Sequence, residues 1–206
     1  MDIVAADRQD AVLAHSPADR RRAAIRIRRV QAHDGALIDE FVRDLSLTSR
    51  QRRFHAGIRE VPPEWLQRMT HPDPCQELAL VAVVCQGGRE VCVAEAAYVF
   101  SDIADGREFA LAVADAWQGR GIGKTLLLRL GSHAARHGVG RLVGDVLGDN
   151  LAMIELARGL GYTVRRHPAD PRLVRVERSF GDSLPAWRHP SRSPAQASFE
   201  TQGGSA

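Results

Sequence analysis

The feature that most constrains this chain is a glycine-rich turn that joins a predicted strand directly to a predicted helix. Residues 107–114 have the apolar pattern of a strand, and glycines then stand at positions 119, 121 and 123. Over residues 121–137 the apolar side chains recur along one helical stripe. Glycine adopts positive φ freely, and the first N–H groups of a helix have no partner within it. The turn therefore predicts an anion site that suits a diphosphate.

Three phosphate-binding motifs compete for this turn. A Walker A loop requires glycine at the position of Gln118, and a dinucleotide-binding fingerprint requires glycine at the position of Lys124, so both fail by one residue. The pattern that fits is Gln-x-x-Gly-x-Gly, placed after a strand and at the start of a helix. The residues that we expect to surround the diphosphate are Gln118, Gly119, Arg120, Gly121, Ile122, Gly123, Lys124 and Thr125.

The remaining apolar periodicity predicts an alternation of strands and helices. We expect one domain over residues 23–180, between a flexible leader at 1–22 and a flexible tail at 181–206 that is rich in proline, serine and glycine. The order of the elements predicts a mixed α/β sheet with helices on both faces. Strands are expected at 24–30, 77–85, 90–101, 107–114, 141–147, 162–165 and 173–178, and helices at 33–46, 49–54, 62–69, 121–137 and 150–160.

Composition excludes several classes of function. No apolar stretch approaches the roughly 18 residues of a membrane span, and the N-terminus lacks a secretory signal, so we expect a cytoplasmic protein without a membrane partner. The net charge is only +3 and aromatic residues make up 5%, which disfavours nucleic acid as a partner. A chain with 44% hydrophobic residues is also not fully disordered.

Metal sites and disulfides are not expected either. Cys75, Cys85 and Cys92 are odd in number and form no C-x-x-C pair. His133 and His137 have the spacing of a zinc-binding helix, but Ala134 occupies the position of the glutamate that would act as the base. We interpret both histidines as half-exposed helix residues, and we expect no metal.

The turn and a second segment resemble the GNAT superfamily of acyl-CoA-dependent N-acetyltransferases. Residues 118–123 match the superfamily's pyrophosphate motif, and residues 149–162 resemble its asparagine-started helix that ends in Leu-Gly-aromatic. Phrases at 45–54, 108–113 and 142–147 are similar to the catalytic domain of bacterial Pat-type protein-lysine acetyltransferases. The resemblance implies a mostly antiparallel twisted sheet, acetyl-CoA as acyl donor, and a contact between Asn150 and the pantetheine arm.

Glu108 is the candidate base for the amine. Alternation along the strand puts it on one face with the alanines at 110, 112 and 114, which would leave a lane for pantetheine. The backbone N–H groups of Leu111, Ala112 and Val113 would pair with the pantetheine amides or hold the thioester oxygen. In the Pat-type domains that this chain resembles, the glutamate at this position is the base. The alternative is a solvated glutamate at a strand end.

Other polar residues have weaker claims. Glu95 either lines the acceptor side or is a surface strand residue. Asp145 interrupts an apolar strand and either faces the acceptor or has no functional role, and Asp149 is interpreted as a helix cap. Arg50, Arg52 and Arg53 either recognise an acidic substrate or are solvated. Many relatives place a tyrosine acid where this chain has Ala157, and Tyr162 is expected to be a packing residue.

The predicted function is therefore direct transfer of an acetyl group from acetyl-CoA to a primary amine. The expected acceptor is a protein lysine, for example on an acyl-CoA synthetase. The alternatives are a small-molecule amine as acceptor, a catalytically silent acyl-CoA sensor, and an NTP-binding module. The sequence does not determine the oligomeric state.

Overall fold

A computed structural model describes residues 24–74, 76–101 and 106–181. The predicted leader at 1–22 lies outside these residues, as does the predicted tail at 181–206 apart from its first residue. Within the described ranges, the predicted strands and helices are all present, with ends that differ from the predicted ones by a few residues.

The centre of the fold is one seven-stranded sheet with the strand order β1-β2-β3-β4-β5-β7-β6. All neighbouring strands are antiparallel except β4 and β5, which are parallel. The predicted mixed, mostly antiparallel sheet is thereby confirmed. The strands are β1 (Arg26–Arg29), β2 (Leu78–Gln86), β3 (Arg89–Phe100), β4 (Arg107–Val113), β5 (Arg141–Leu147), β6 (Thr163–Arg166) and β7 (Leu173–Ser179).

Helices cover both faces of the sheet, as predicted. The helices are α1 (Gly35–Asp44), α2 (Leu47–Phe54), α3 (Pro63–Thr70), α4 (Ile122–Arg136) and α5 (Leu151–Gly159). Side chains of α4 and α5, such as Leu126 and Ile154, belong to one hydrophobic core, and side chains of α1, such as Phe41 and Val42, belong to another. The sheet therefore has the α1–α3 segment on one face and α4 with α5 on the other.

Strand β4 contributes alternate side chains to the two faces. Phe109 packs in the core under α4 and α5, whereas Ala112 packs in the core under α1. Because successive side chains of a strand point to opposite faces, Glu108 lies on the α1–α3 face. This is the arrangement that the alternation in the sequence predicts.

Strands β4 and β5 are joined only at their beginnings. Their register pairs Arg107 with Leu142 and Glu108 with Val143, and no later pair is formed within the described strands. At Gly144 in β5, an added Cβ would lie 2.8 Å from ring atoms of Phe109, so glycine is required for the ring to fit. The two strands thus separate beyond Glu108 and leave a gap in the middle of the sheet.

One of the two histidines at the end of α4 differs from its prediction. His133 is only 7% exposed, with Arg29 Nη2 at 2.7 Å from its Nε2 and the hydroxyl of Tyr98 at 2.7 Å from its Nδ1. Because a guanidinium only donates, Nε2 accepts and Nδ1 carries the proton. Burial first, and then the positive charges of neighbouring groups, lower the pKa of His133 to about 4. The half-exposed interpretation is therefore wrong for His133, which is a neutral core residue.

Two further observations concern only the described residues. None of their helices combines the length and the apolar character that crossing a membrane demands. No group of three or more histidine, cysteine, aspartate or glutamate side chains among them is arranged to hold a metal ion.

Candidate functional site

A cavity of about 660 Å³ lies at the gap between β4 and β5 and is lined by residues from both faces of the sheet. One end is lined by the glycine-rich turn and the start of α4. The other end is lined by α2, α3 and the α1–α3 face of the sheet, where Glu108 lies. The cavity therefore connects the predicted anion site with the predicted base.

The glycine-rich turn has the conformation that its sequence predicts. Gly119 and Gly121 have φ values of 72° and 77°, and Gly121 is the residue that precedes the first turn of α4. Within the part of the chain that the structure describes, an added Cβ at either glycine would meet no atom within 4 Å, so the space beside the turn is open there. The turn thus presents the N-terminal amides of α4 to open space in the cavity, which suits a diphosphate.

A network of hydrogen bonds attaches this turn to the start of α2. The Asp115 carboxylate accepts from Ser46 N at 3.0 Å, from Ser46 Oγ at 2.7 Å and from Ser49 Oγ at 2.9 Å. Burial raises the pKa of Asp115, but these hydrogen bonds outweigh it and hold the pKa below its ordinary value. Gln118 Nε2 donates to Val113 O at 3.1 Å. The motif glutamine therefore braces the turn against β4.

Most of the predicted cofactor-binding residues line this one cavity. Those that do are Leu111, Ala112, Val113, Gln118, Gly119, Gly121, Ile122, Gly123, Lys124 and Asn150. Arg120 and Thr125 lie beside it instead. The Arg120 guanidinium stacks 4.6 Å from the centre of the Trp117 ring, and Thr125 Oγ1 donates to O of Gly121, the N-cap of α4, at 3.1 Å. Arg120 is thus left as a positive charge next to the turn.

Strand β4 offers backbone groups to the cavity. Beyond Glu108, its edge toward β5 has no strand partner within the described residues. Every second backbone group of that edge therefore points into the gap, where an amide-containing chain can pair with it as an added strand would. The pantetheine arm of coenzyme A is such a chain. This geometry is consistent with the predicted role of the amides of Leu111 and Val113. Ala114 N donates to Val93 O of β3 at 2.9 Å, and in the regular register the amide of Ala112 points to β3 as well. The prediction is therefore wrong for the amide of Ala112, which is used inside the sheet.

The start of α5 corrects one assignment. Asn150 is the N-cap of this helix, and its Oδ1 accepts from Met153 N at 3.3 Å. The cap that the sequence analysis gave to Asp149 is therefore wrong. With its oxygen held by the helix, Asn150 has its amide NH₂ group to offer to a ligand in the cavity.

We call the end of the cavity that is lined by α2, α3 and Glu108 the acceptor end. The carboxylates near it have different partners. Glu108 is exposed to the cavity, and among the described residues its side chain makes no hydrogen bond or ion pair. Asp145 lies on the same face of the sheet but accepts from Arg175 Nε and Nη2 at 2.9 and 3.0 Å, with His167 Nε2 at 3.2 Å. Of these two cavity carboxylates, Glu108 is therefore the one without a partner among the described residues.

Glu95 is not the surface residue that was one interpretation of the sequence. It is 2% exposed and forms an ion pair with Arg53 of α2. The signal for this pair was present in the sequence as an acidic residue within an apolar strand, but its partner is 42 residues away. Arg50, in turn, donates from Nη1 to the carbonyls of Arg43 and Leu45.

Tyr162 is a packing residue, as predicted, and Ala157 stands where many relatives have a tyrosine acid. Ala157 is fully buried, and Tyr162 is 4% exposed with its ring 5.5 Å from that of Phe109. Burial raises the pKa of Tyr162 to about 12. A buried phenol that packs on an aromatic ring is a core residue, and it does not line the cavity.

Comparison with known proteins gives consistent results. A family model described as the acetyltransferase (GNAT) family matches residues 42–162. Acetyltransferase PA5475 of Pseudomonas aeruginosa is 31% identical over 147 residues, which are 70% of this chain and 77% of that protein. The range matched by the family model includes the glycine-rich turn.

Solved structures show the same fold. The GNAT domain of S. lividans PAT has a TM-score of 0.66 and 28% identity, and the match covers 75% of this chain and 90% of that domain. The structure of yncA from Salmonella typhimurium, which contains its cofactor acetyl-CoA, has a TM-score of 0.64 and 22% identity over 80% of this chain and 99% of that chain.

Proposed function

The chain belongs to the acetyltransferase (GNAT) family, and on that premise we propose that it transfers an acetyl group from acetyl-CoA directly to the side-chain amine of a protein lysine. The observation that supports this proposal is the single cavity that joins the glycine-rich turn to Glu108. The resemblance of residues 45–54, 108–113 and 142–147 to Pat-type protein-lysine acetyltransferases favours a protein acceptor.

The residues of the cavity fit coenzyme A. The open space beside Gly119 and Gly121 suits the diphosphate, since no side chain of the described residues fills it. Lys124 lines the same end and supplies a positive charge. The unpaired edge of β4 suits the pantetheine amides. When bound, acetyl-CoA supplies an activated acetyl group as a thioester.

The chain's own residues would then act on the acceptor. A lysine amine has an ordinary pKa of about 10.4, so near neutral pH it is almost wholly protonated and cannot attack a carbonyl. Glu108 would accept that proton, directly or through one water molecule. An N–H group on the open edge of β4 would hold the thioester oxygen as it gains negative charge. Because Ala157 stands at the tyrosine position, the thiolate would be protonated by solvent, which would also take the second proton that the nitrogen releases as the amide forms and the C–S bond breaks.

A panel of acceptors tests the choice of substrate. We expect a lysine-containing peptide with a blocked N-terminus to release free coenzyme A thiol from acetyl-CoA, and the mass of the peptide to rise by one acetyl group on the lysine. Small primary amines offered at the same concentration should react more slowly, because they lack backbone contacts with the surface around α2 and α3. Thiol release and mass spectrometry measure both.

Two results would contradict this proposal. Acetylation of small amines but of no lysine peptide would identify a small-molecule acetyltransferase. Binding of acetyl-CoA without transfer to any amine would favour the sensor alternative. A peptide in which arginine replaces the lysine controls for reaction at other groups.

The glycine-rich turn allows a separate test of coenzyme A binding. We expect Gly121→Val to weaken the binding of coenzyme A at least about tenfold, because its Cβ would enter the space beside the amides and a β-branched residue disfavours positive φ. Gly88→Val is the matched control, since Gly88 has a φ of 82° in the β2–β3 turn and does not line the cavity. Calorimetric titration measures both affinities.

The control separates strain from steric exclusion. If both variants bind coenzyme A as tightly as the unchanged protein, the turn does not hold the diphosphate. Protection of the protein against heating by ATP with Mg²⁺, and not by coenzyme A, would instead support the NTP-binding alternative.

A further inference from the structure

The charged side chains at the acceptor end of the cavity are not balanced. Arg52, Arg53 and Arg68 line this end together with Glu108 and Asp145. Arg53 is paired with Glu95, and Asp145 is paired with Arg175. After these pairs are set aside, two guanidinium groups and one carboxylate remain.

Arg52 and Arg68 lack partners within the described part of the chain. Neither guanidinium has an ion pair or hydrogen bond there, and the Nε of Arg52 is buried without an acceptor. A buried donor that finds no acceptor is costly, and native proteins rarely keep one without a role. The Nε of Arg50 is in the same condition, but Arg50 does not line the cavity.

The walls between these groups are apolar. Phe54 and Trp65 are stacked with their ring centres 6.2 Å apart, and both line the cavity with Met69 and Ala110. Such walls suit an aliphatic chain. A lysine side chain has that character, with its amine directed at Glu108, but it offers nothing to the two guanidinium groups.

We propose that the acceptor carries an anionic group as well as its amine, and that Arg52 and Arg68 bind this group while the amine reaches Glu108. The inference rests on the proposed function, in which the anion is an acidic side chain next to the acceptor lysine. Arginine suits this role because its planar group binds a carboxylate through two hydrogen bonds. Arg52 and Arg68 are therefore specificity-determining residues.

The test compares two lysine peptides that differ only in having aspartate or asparagine on both sides of the lysine. We expect the unchanged protein to prefer the aspartate peptide by about tenfold in kcat/KM, the scale of a charged hydrogen bond. The double variant Arg52→Gln and Arg68→Gln should show no preference. Arg158→Gln, an exposed residue of α5 that does not line the cavity, is the control and should keep the preference.

Absence of the preference in the unchanged protein, or its survival in the double variant, would overturn the inference. If small amines are acetylated and lysine peptides are not, the proposed function fails, but the inference can still be tested. Free lysine has a carboxylate that lysinamide lacks, so the unchanged protein should prefer lysine and the double variant should not. If no amine reacts, calorimetry compares the binding of the two acetylated peptides to the protein loaded with coenzyme A. Equal affinities would then refute the anion site.

Discussion

Replacement of Glu108 by glutamine is expected to lower kcat by about a hundredfold or more while leaving coenzyme A affinity unchanged. Glutamine has nearly the same shape but cannot take the proton of the acceptor amine, and loss of a positioned base typically costs 10²–10⁴-fold. Glu108 precedes the unpaired edge of β4 and lies on the α1–α3 face, away from the glycine-rich turn. Binding of the cofactor should therefore not depend on it.

The pH dependence gives this prediction a second measurement. At higher pH more of the acceptor amine is already neutral, since its ordinary pKa is about 10.4, and less of the reaction depends on the base. The rate of Glu108→Gln should then approach that of the unchanged protein as pH rises toward 10. Rates are measured by thiol release at saturating acetyl-CoA, and affinity by calorimetry.

Glu155→Gln is the matched control, because Glu155 is an exposed glutamate of α5 that does not line the cavity. It should retain full activity. Equal turnover of Glu108→Gln and the unchanged protein would remove Glu108 from the mechanism. A parallel loss of coenzyme A affinity would make it a binding residue instead.

The fold and the cofactor end of the site could be predicted because their signals are local. The strand, the glycines and the helix of the turn are contiguous in the chain, and positive φ at Gly119 and Gly121 follows from residue type. The alternation of Glu108 and Phe109 between the faces is likewise a property of neighbouring residues. Local patterns of this kind survive folding because tertiary packing reinforces them.

The acceptor end could not be predicted because it depends on contacts between distant segments. The serines that bond to Asp115 are 66 and 69 residues away from it, and Arg53 and Glu95 are 42 residues apart. In the sequence, Arg50, Arg52 and Arg53 are one basic run. Only the structure separates them into three kinds of residue. Arg50 bonds to backbone carbonyls, Arg52 has no partner among the described residues, and Arg53 belongs to a buried pair.

Removing the Arg53 side of that pair should produce a large loss of stability. We expect Arg53→Met to lower the free energy of unfolding by about 3–5 kcal/mol, because Glu95 would be left as an unpaired charge beneath α2. For a protein of this size, that loss corresponds to a fall of roughly 10 °C in Tm. Denaturant titration and calorimetric melting measure the two quantities.

A double variant distinguishes the cost of leaving Glu95 unpaired from the contribution of the ion pair itself. Arg53→Met together with Glu95→Leu removes both charges, and replacing a buried pair by apolar side chains is often neutral, so its stability should return to within about 1 kcal/mol of the unchanged protein. Arg43→Met is the control. The Arg43 side chain is 55% exposed, and its ion pair with Asp39 should contribute at most about 1 kcal/mol to the free energy of unfolding. If Arg53→Met proves as mild as Arg43→Met, Glu95 is not a buried charge. A double variant less stable than Arg53→Met would mean that the carboxylate of Glu95 has other favourable contacts.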